Sequence, residues 1–376
     1  MFGARLTLFR LLGFEVRLDA SWLILAVLLT WSLVRGYFPA YHPGLATETY
    51  WWMGVVGALG LFASIVLHEL AHSVVARRYG LPMRGITLFI FGGVAEMEDH
   101  PPTPRSEGMM AIAGPIASYA LALAFYLLYL AGSGGGLPEA LTGVLGYLAF
   151  INVVLATFNL LPGFPLDGGR VLRSILWAWR GDLRWATRTA SAIGGGFGVA
   201  LVVLGAFSFM AGNVIGGVWW FVLGLFLWGA AKGHYQQVLV REALRGEPVR
   251  RFMKAEPVTV PPSLPLRRFV EEYVYGFHYK MFPVVTADGR LVGCVTTRAV
   301  KDTPREEWER RTVGEVMGGC SPDNTIGPEA DVMDALKLMQ RTGASRVIVA
   351  DGAGRVVGVV ALKDLLNYVS LKTELE

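Results

Sequence analysis

"SIVLHELAHSVVARRYG", residues 64–80, decides how the rest of the chain is read. The stretch reads as the end of a membrane-spanning helix, yet it carries two histidines and a glutamate. An ionisable group at membrane depth costs several kcal/mol, so it marks function by default. His68 and His72 are four residues apart, which on a helix puts both imidazoles on one face, with Glu69 beside them. Two neutral imidazoles suit zinc, a catalytic zinc keeps one position for water, and Glu69 stands where a general base is needed.

The composition supplies the membrane. Of 376 residues 53% are apolar and 17% charged, against roughly 25% charged in ordinary soluble chains. Uncharged runs lie between Asp19 and Arg35, and over Thr49–Leu67, Gly108–Pro138, Ala140–Leu166 and Thr189–Ala231. A span needs about 20 apolar residues, so the last run is two helices joined at "AGNVIGG", 211–217, and the count is six. The first span must extend past Arg35. Arginines gather before the first span (Arg5, Arg10, Arg17), after the second (Arg77, Arg78, Arg84, Arg105) and after the fourth (Arg170, Arg173, Arg180, Arg184, Arg188). That asymmetry puts both termini in the cytoplasm. The arginines in the first 19 residues interrupt any signal-peptide core. Cys294 and Cys320 fall on the cytoplasmic side, so no disulfide is expected. The net charge of +4 sits beside helix ends and forms no continuous basic stripe, which argues against nucleic-acid binding.

Two histidines need a third ligand. "NLLPGFPLDGGR", 159–170, ends the fourth uncharged run with Asp167 among apolar neighbours. Pro162 and Pro165 break the helix, which at membrane depth requires that the freed backbone be buried in protein or line a cavity. Gly168 and Gly169 let the backbone pass close to another element. The alternative is that Asp167 only caps the next helix.

"HELAH" and "NLLPGFPLDGG", in that order and each at the cytoplasmic end of a span, resemble the site-2 protease family of intramembrane zinc metalloproteases, over most of residues 1–235. The resemblance implies that His68, His72 and Asp167 bind one zinc ion, that Glu69 is the catalytic base, and that Asn159 holds or polarises the scissile peptide. Together with the six uncharged spans, the fold expected is a polytopic α-helical membrane protein of about six transmembrane helices with a re-entrant β-hairpin. That hairpin fits "GITLFIFGGVAEMEDHPP", 85–102, where Thr87–Phe91 is β-branched and aromatic and Gly92 and Gly93 allow a tight turn. An exposed strand edge at Phe91, Gly92 and Gly93 could pair with an unwound substrate; a hairpin that only packs the bundle is the alternative. "AGPIAS", 113–118, reads as a small-residue packing face.

After His234 the composition changes, with a charged linker over 236–251 and then short apolar runs between turns. "VTADGRLVGCVTTRAV", ending at Val300, matches "VADGAGRVVGVVALKDL", ending at Leu365. The repeat resembles a tandem pair of cystathionine-beta-synthase-type (CBS) domains of α/β structure, covering 252–371 in copies of about 252–305 and 313–371. Such pairs often bind an adenine nucleotide through a hydroxyl and an acid three residues apart. Here the set is split: Thr296 with Ala299 in the first copy, Ala361 with Asp364 in the second. Weak nucleotide binding at most, and pairing into a homodimer, are the expectations.

The function expected is hydrolysis of peptide bonds in or near transmembrane segments, with the CBS pair as regulator or dimerisation element. The recessed site suits single-span substrates already trimmed by another protease, in the plasma membrane of a bacterium or archaeon. A transporter or channel with a CBS module is the alternative, but it should show repeated membrane halves with matching broken helices, and the chain has one broken region.

Overall fold

The computed structural model describes residues 5–81, 83–89, 92–97, 101–319 and 324–375. The chain divides into two compact units, Met1–Tyr235 and Gln236–Glu376.

The first unit opens with strands β1 (Arg5–Leu11) and β2 (Phe14–Asp19), followed by helices α1 (Ser21–Tyr41) and α2 (Thr47–Arg78). Strands β3 (Met83–Phe89) and β4 (Gly92–Met97) come next, then α3 (Pro104–Gly134), α4 (Glu139–Asn159), α5 (Asp167–Arg180), α6 (Leu183–Met210) and α7 (Val214–Leu244). Among the described residues, α1, α2, α3, α4 and α6 are each long and apolar enough to cross a membrane. The sixth expected span falls in α7, which carries no charged residue from Val214 to Ala231. In α1 the guanidinium of Arg35 sits 5.2 Å from the Trp31 ring centroid, so its charge lies against an aromatic face.

The expected lone hairpin is instead half of a four-stranded sheet, ordered β1-β2-β3-β4, in which β2 and β3 run parallel. Val16, Ile86 and Leu88 are buried and pack with Val66 and Leu70 of α2, which fixes the sheet against the helix that carries the histidines. The described part of the strand expected to reach Phe91 is Met83–Phe89; its continuation to Phe91 falls outside the described residues.

Helices α6 and α7 touch backbone to backbone. A Cβ on Gly205 would lie 2.6 Å from the Phe221 nitrogen and 2.8 Å from the Gly217 carbonyl oxygen, and one on Gly198 would lie 2.7 Å from the Trp228 nitrogen. Small residues at such crossings let dispersion contacts form where no hydrophobic force drives helices together.

In the second unit, β5 (Lys254–Ala255), β6 (Met281–Val285), β7 (Leu291–Thr296), α8 (Thr297–Lys301) and β8 (Gly318–Gly319) precede β9 (Thr325–Ile326), α9 (Val332–Thr342), β10 (Arg346–Ala350), β11 (Val356–Ala361) and α10 (Leu362–Leu375). The sheets are β5-β11-β10-β9 and β6-β7-β8. Each copy of the repeat thus takes a short edge strand from the first residues of the other copy. The exchange is reciprocal in detail: a Cβ on Gly358 would meet the Met253 sulfur at 2.7 Å, and one on Gly293 would meet the Met317 sulfur at 2.7 Å. The equivalent residues Arg290 and Arg355 form an isolated antiparallel bridge, where the local two-fold relating the copies must pass.

Gly205→Leu should force α6 and α7 apart and lower the stability of the membrane unit by about 1–3 kcal/mol, the usual cost of overpacking. The check is the thermal midpoint of the purified protein in detergent, with exposed Gly196→Ala as the neutral control; an unchanged midpoint for Gly205→Leu would contradict the close crossing.

Candidate metal centre

His68 and His72 project from one face of α2 and are buried, 3% and 4% exposed. The proline-broken segment after α4 returns the chain so that α5 begins at Asp167, and the Asp167 carboxylate oxygen Oδ2 lies 3.0 Å from His68 Nε2 and 3.1 Å from His72 Nε2. These three ligand-capable atoms all lie within 4.8 Å of one another, the one such His, Cys, Asp and Glu grouping among the described residues. Asp167 is therefore not the cap of α5. The residue before it, Leu166, holds the N-cap position, where no side chain caps the helix.

The far ring nitrogens are anchored to α3. His72 Nδ1 is 2.6 Å from the Met110 carbonyl oxygen and His68 Nδ1 is 2.9 Å from Ser118 Oγ. A carbonyl only accepts, so His72 donates from Nδ1, and in the neutral form that binds metal the ring presents a lone pair at Nε2 to a carboxylate oxygen. A cation between them reconciles those two acceptors. Two Nε2 atoms, one carboxylate oxygen and second hydrogen bonds that fix each ring match what a catalytic zinc site uses.

Space for an ion comes from the residue between those anchors. A Cβ on Gly114 would lie 2.3 Å from His72 Nε2 and 2.5 Å from His68 Nε2. The segment read as a packing face, "AGPIAS", therefore supplies both the clearance and, at Ser118, a ring anchor. Nothing in the local sequence distinguishes these roles from packing, since both ask for small residues.

Glu69, the next residue on α2, is only partly exposed, and β4 crosses it: a Cβ on Gly93 would lie 2.7 Å from Glu69 Cγ. Among the described residues β4 has one strand neighbour, β3, so its other edge is unpaired within the sheet. Asn159, the last residue of α4, donates its amide to the Leu155 carbonyl at 3.0 Å and is not part of the three-residue cluster.

The broken segment is rigidly packed. Gly168 and Gly169 lie against backbone, as expected: a Cβ on Gly168 would be 2.2 Å from the Leu160 carbonyl oxygen and one on Gly169 2.3 Å from the Gly163 carbonyl carbon. Phe164 is buried between the His234 ring, 4.8 Å away, and the Arg173 guanidinium, 4.8 Å from its ring centroid. Arg173 also pairs with Glu107 of α3, both side chains nearly inaccessible, with Arg173 Nε 2.7 Å from Glu107 Oε1. The sequence reading missed this pair, because Arg173 stood in a run of arginines that explained topology and Glu107 stood near a loop.

In the second unit, the Thr296 hydroxyl accepts from the Ala299 backbone N–H at 3.2 Å and so caps α8. Asp364 lies in the first turn of α10 and is partly exposed.

A histidine pair and a neighbouring glutamate on an apolar helix of membrane-spanning length, met by the aspartate that opens the short α5, define a membrane-embedded zinc metallopeptidase. The sequence profile Peptidase family M50 matches residues 56–144 and 137–205, and CBS domain matches 249–304 and 313–371. A Mycobacterium tuberculosis protein named zinc metalloprotease Rip3 is 34% identical over 96% of this chain and 92% of its own length. Zinc metalloprotease MJ0392 of Methanocaldococcus jannaschii is 29% identical over 98% of each. The solved site-2 protease from the same organism is 27% identical over 62% of this chain and 95% of its own, with a TM-score of 0.43. The chain belongs to peptidase family M50 and is an intramembrane zinc metalloprotease with a CBS module, acting on membrane-protein substrates within the bilayer.

Gly114→Ala should cost the protein most of its zinc, because the added methyl occupies the space beside both Nε2 atoms. Zinc per chain by atomic absorption, with the fold followed by circular dichroism, is the measurement. Full zinc content in a folded Gly114→Ala protein would show that the ion does not sit between these nitrogens.

Proposed function

We propose that His68, His72 and Asp167 hold the zinc ion, that Glu69 is the general base, and that Asn159 orients the scissile peptide. The observation that supports this most strongly is the convergence of the two Nε2 atoms on Asp167 Oδ2 immediately beside Glu69. When bound, zinc supplies an acidified water and polarises a peptide carbonyl. The Glu69 carboxylate takes one proton of the attacking water and delivers it to the leaving amine nitrogen as the C–N bond breaks, so that water is divided between the two products. Asn159, at the end of α4 just before the break, keeps its Oδ1 for a substrate N–H while its amide nitrogen is bonded to Leu155.

A helical substrate must unwind before its peptide bond is reachable, and an extended strand needs a partner. The unpaired edge of β4 at Gly92 and Gly93 offers backbone donors and acceptors beside Glu69, and Phe91, the residue before them in sequence, belongs to the same proposed substrate-binding stretch. Single-span proteins already trimmed by another protease suit such a recessed site. The arginine asymmetry supports cytoplasmic termini in a bacterial or archaeal plasma membrane, which places the CBS pair in the cytoplasm. That pair serves as a regulatory or pairing element between two protomers. It binds adenine nucleotide weakly, since Thr296 already caps α8 and only Asp364 offers an acid for a ribose.

Glu69→Gln should retain zinc and fold but lower cleavage of a model transmembrane substrate by at least the 10²–10⁴-fold that general acid–base catalysis supplies. Near wild-type cleavage by the variant would remove Glu69 from the role of base. For the CBS pair, calorimetry of the full-length protein with AMP and ATP should give weak or no binding; tight binding that Asp364→Ala abolishes would overturn the weak-ligand reading.

A further inference from the structure

Along the α2–α3 seam, with neither histidine in its lining, runs a groove of about 690 Å³. Leu67, Val74 and Val75 line it from α2, and Ile112, Ile116 and Ala120 from α3; every lining residue is apolar except Arg78 at one end. From Leu67 to Arg78 the helix rises about 16 Å at 1.5 Å per residue. One leaflet of a hydrocarbon core about 30 Å thick is nearly the same depth. The groove therefore has the length of a single acyl chain, with a cation where a headgroup would be.

The charge at that end is free to bind. Arg77 is engaged, its Nη1 2.9 Å from the Leu12 carbonyl oxygen and its guanidinium 4.9 Å from the Phe14 ring centroid. Arg78 is exposed and makes no hydrogen bond or ion pair among the described residues. Arg105, also exposed and equally free of such partners, is four residues before the groove-lining Met109 on α3 and so lies one turn beyond it on the same helix face. It stands in the first turn of α3, where the helix dipole adds further positive potential.

We propose that this groove is a binding site for one anionic phospholipid, with an acyl chain along Leu67–Val74 and Ile112–Ala120 and the phosphate between Arg78 and Arg105. Nothing on the groove walls can satisfy the polar backbone of an unwinding substrate, whereas an amphiphile with one anionic end matches both features. Through its walls the lipid braces the two helices whose other faces carry His68, His72, Gly114 and Ser118.

The test uses the full-length protein in nanodiscs of phosphatidylcholine with or without phosphatidylglycerol. Native mass spectrometry of the wild type should show one retained phosphatidylglycerol per chain, and added phosphatidylglycerol should raise the thermal midpoint, as a ligand of the folded state does. The double variant Arg78→Gln with Arg105→Gln should lose both effects, and so should Ala120→Trp, which fills the groove and leaves its charges in place. A photo-crosslinking side chain introduced at Ala117, with the arginines intact, should yield an adduct of lipid mass. Equal retention in wild type and both variants, or an adduct to a second chain or to a substrate helix, would overturn the assignment.

Discussion

One carboxylate oxygen ties the membrane unit together. Asp167 Oδ2 faces two buried imidazoles, and a buried charge without compensation costs far more than any single packing contact returns. Meeting that demand draws α5 onto α2, and because α5 starts directly after the proline-broken segment, the end of α4 must follow. Arg173, further along α5, repeats the demand against Glu107 of α3. Losing one member of such a buried pair costs about 3–5 kcal/mol. The two ties leave α5 little freedom to slide against either neighbour, which is what the proposed metal site needs from the helix that bears Asp167.

Helix α3 contributes no ligand and yet determines the site. Its Met110 carbonyl and Ser118 hydroxyl set the ring orientation of the two histidines, and Gly114 between them keeps the Nε2 atoms clear. Met110 and Gly114 are one turn apart, as are Gly114 and Ser118, so a single stripe of α3 faces the metal centre. The same helix turns Ile112, Ile116 and Ala120 to the outer groove. A change in how lipid fills that groove acts on a helix whose other face touches both histidine rings.

Charge within apolar runs made much of this legible in advance. His68, Glu69 and His72 stand out because hydrocarbon leaves an ionisable group little role but function, Asp167 because it sits among apolar neighbours although it could also have been a helix cap, and the Pro162–Gly169 stretch because its chemistry permits few backbones. The anchors were illegible for the opposite reason: Gly114 and Ser118 look like any small residues at a helix crossing, and the Met110 contribution is main chain. The first two strands were missed although their signal was present. "RLTLFR" and "FEVRLD" alternate apolar and polar residues with the period of a strand, but their arginines had already been assigned to topology. In the second unit the repeat was visible at a 65-residue spacing, whereas the exchanged strands β5 and β8 are two residues long and carry no local pattern at all.

The extra strands change what the β4 edge means. A lone hairpin is marginal, but β3 is paired on both sides, to β2 and to β4, and the sheet is nailed to α2 through Val16, Ile86 and Leu88. An edge strand fixed in this way holds Gly93 against Glu69, where an added Cβ would lie 2.7 Å from Glu69 Cγ. Unpaired edges invite pairing with other chains and are ordinarily blunted by charge, proline or a covering element. An open edge beside Glu69 supports the proposed role of receiving an extended chain, and glycine at position 93 leaves out the side chain that would otherwise press on that glutamate.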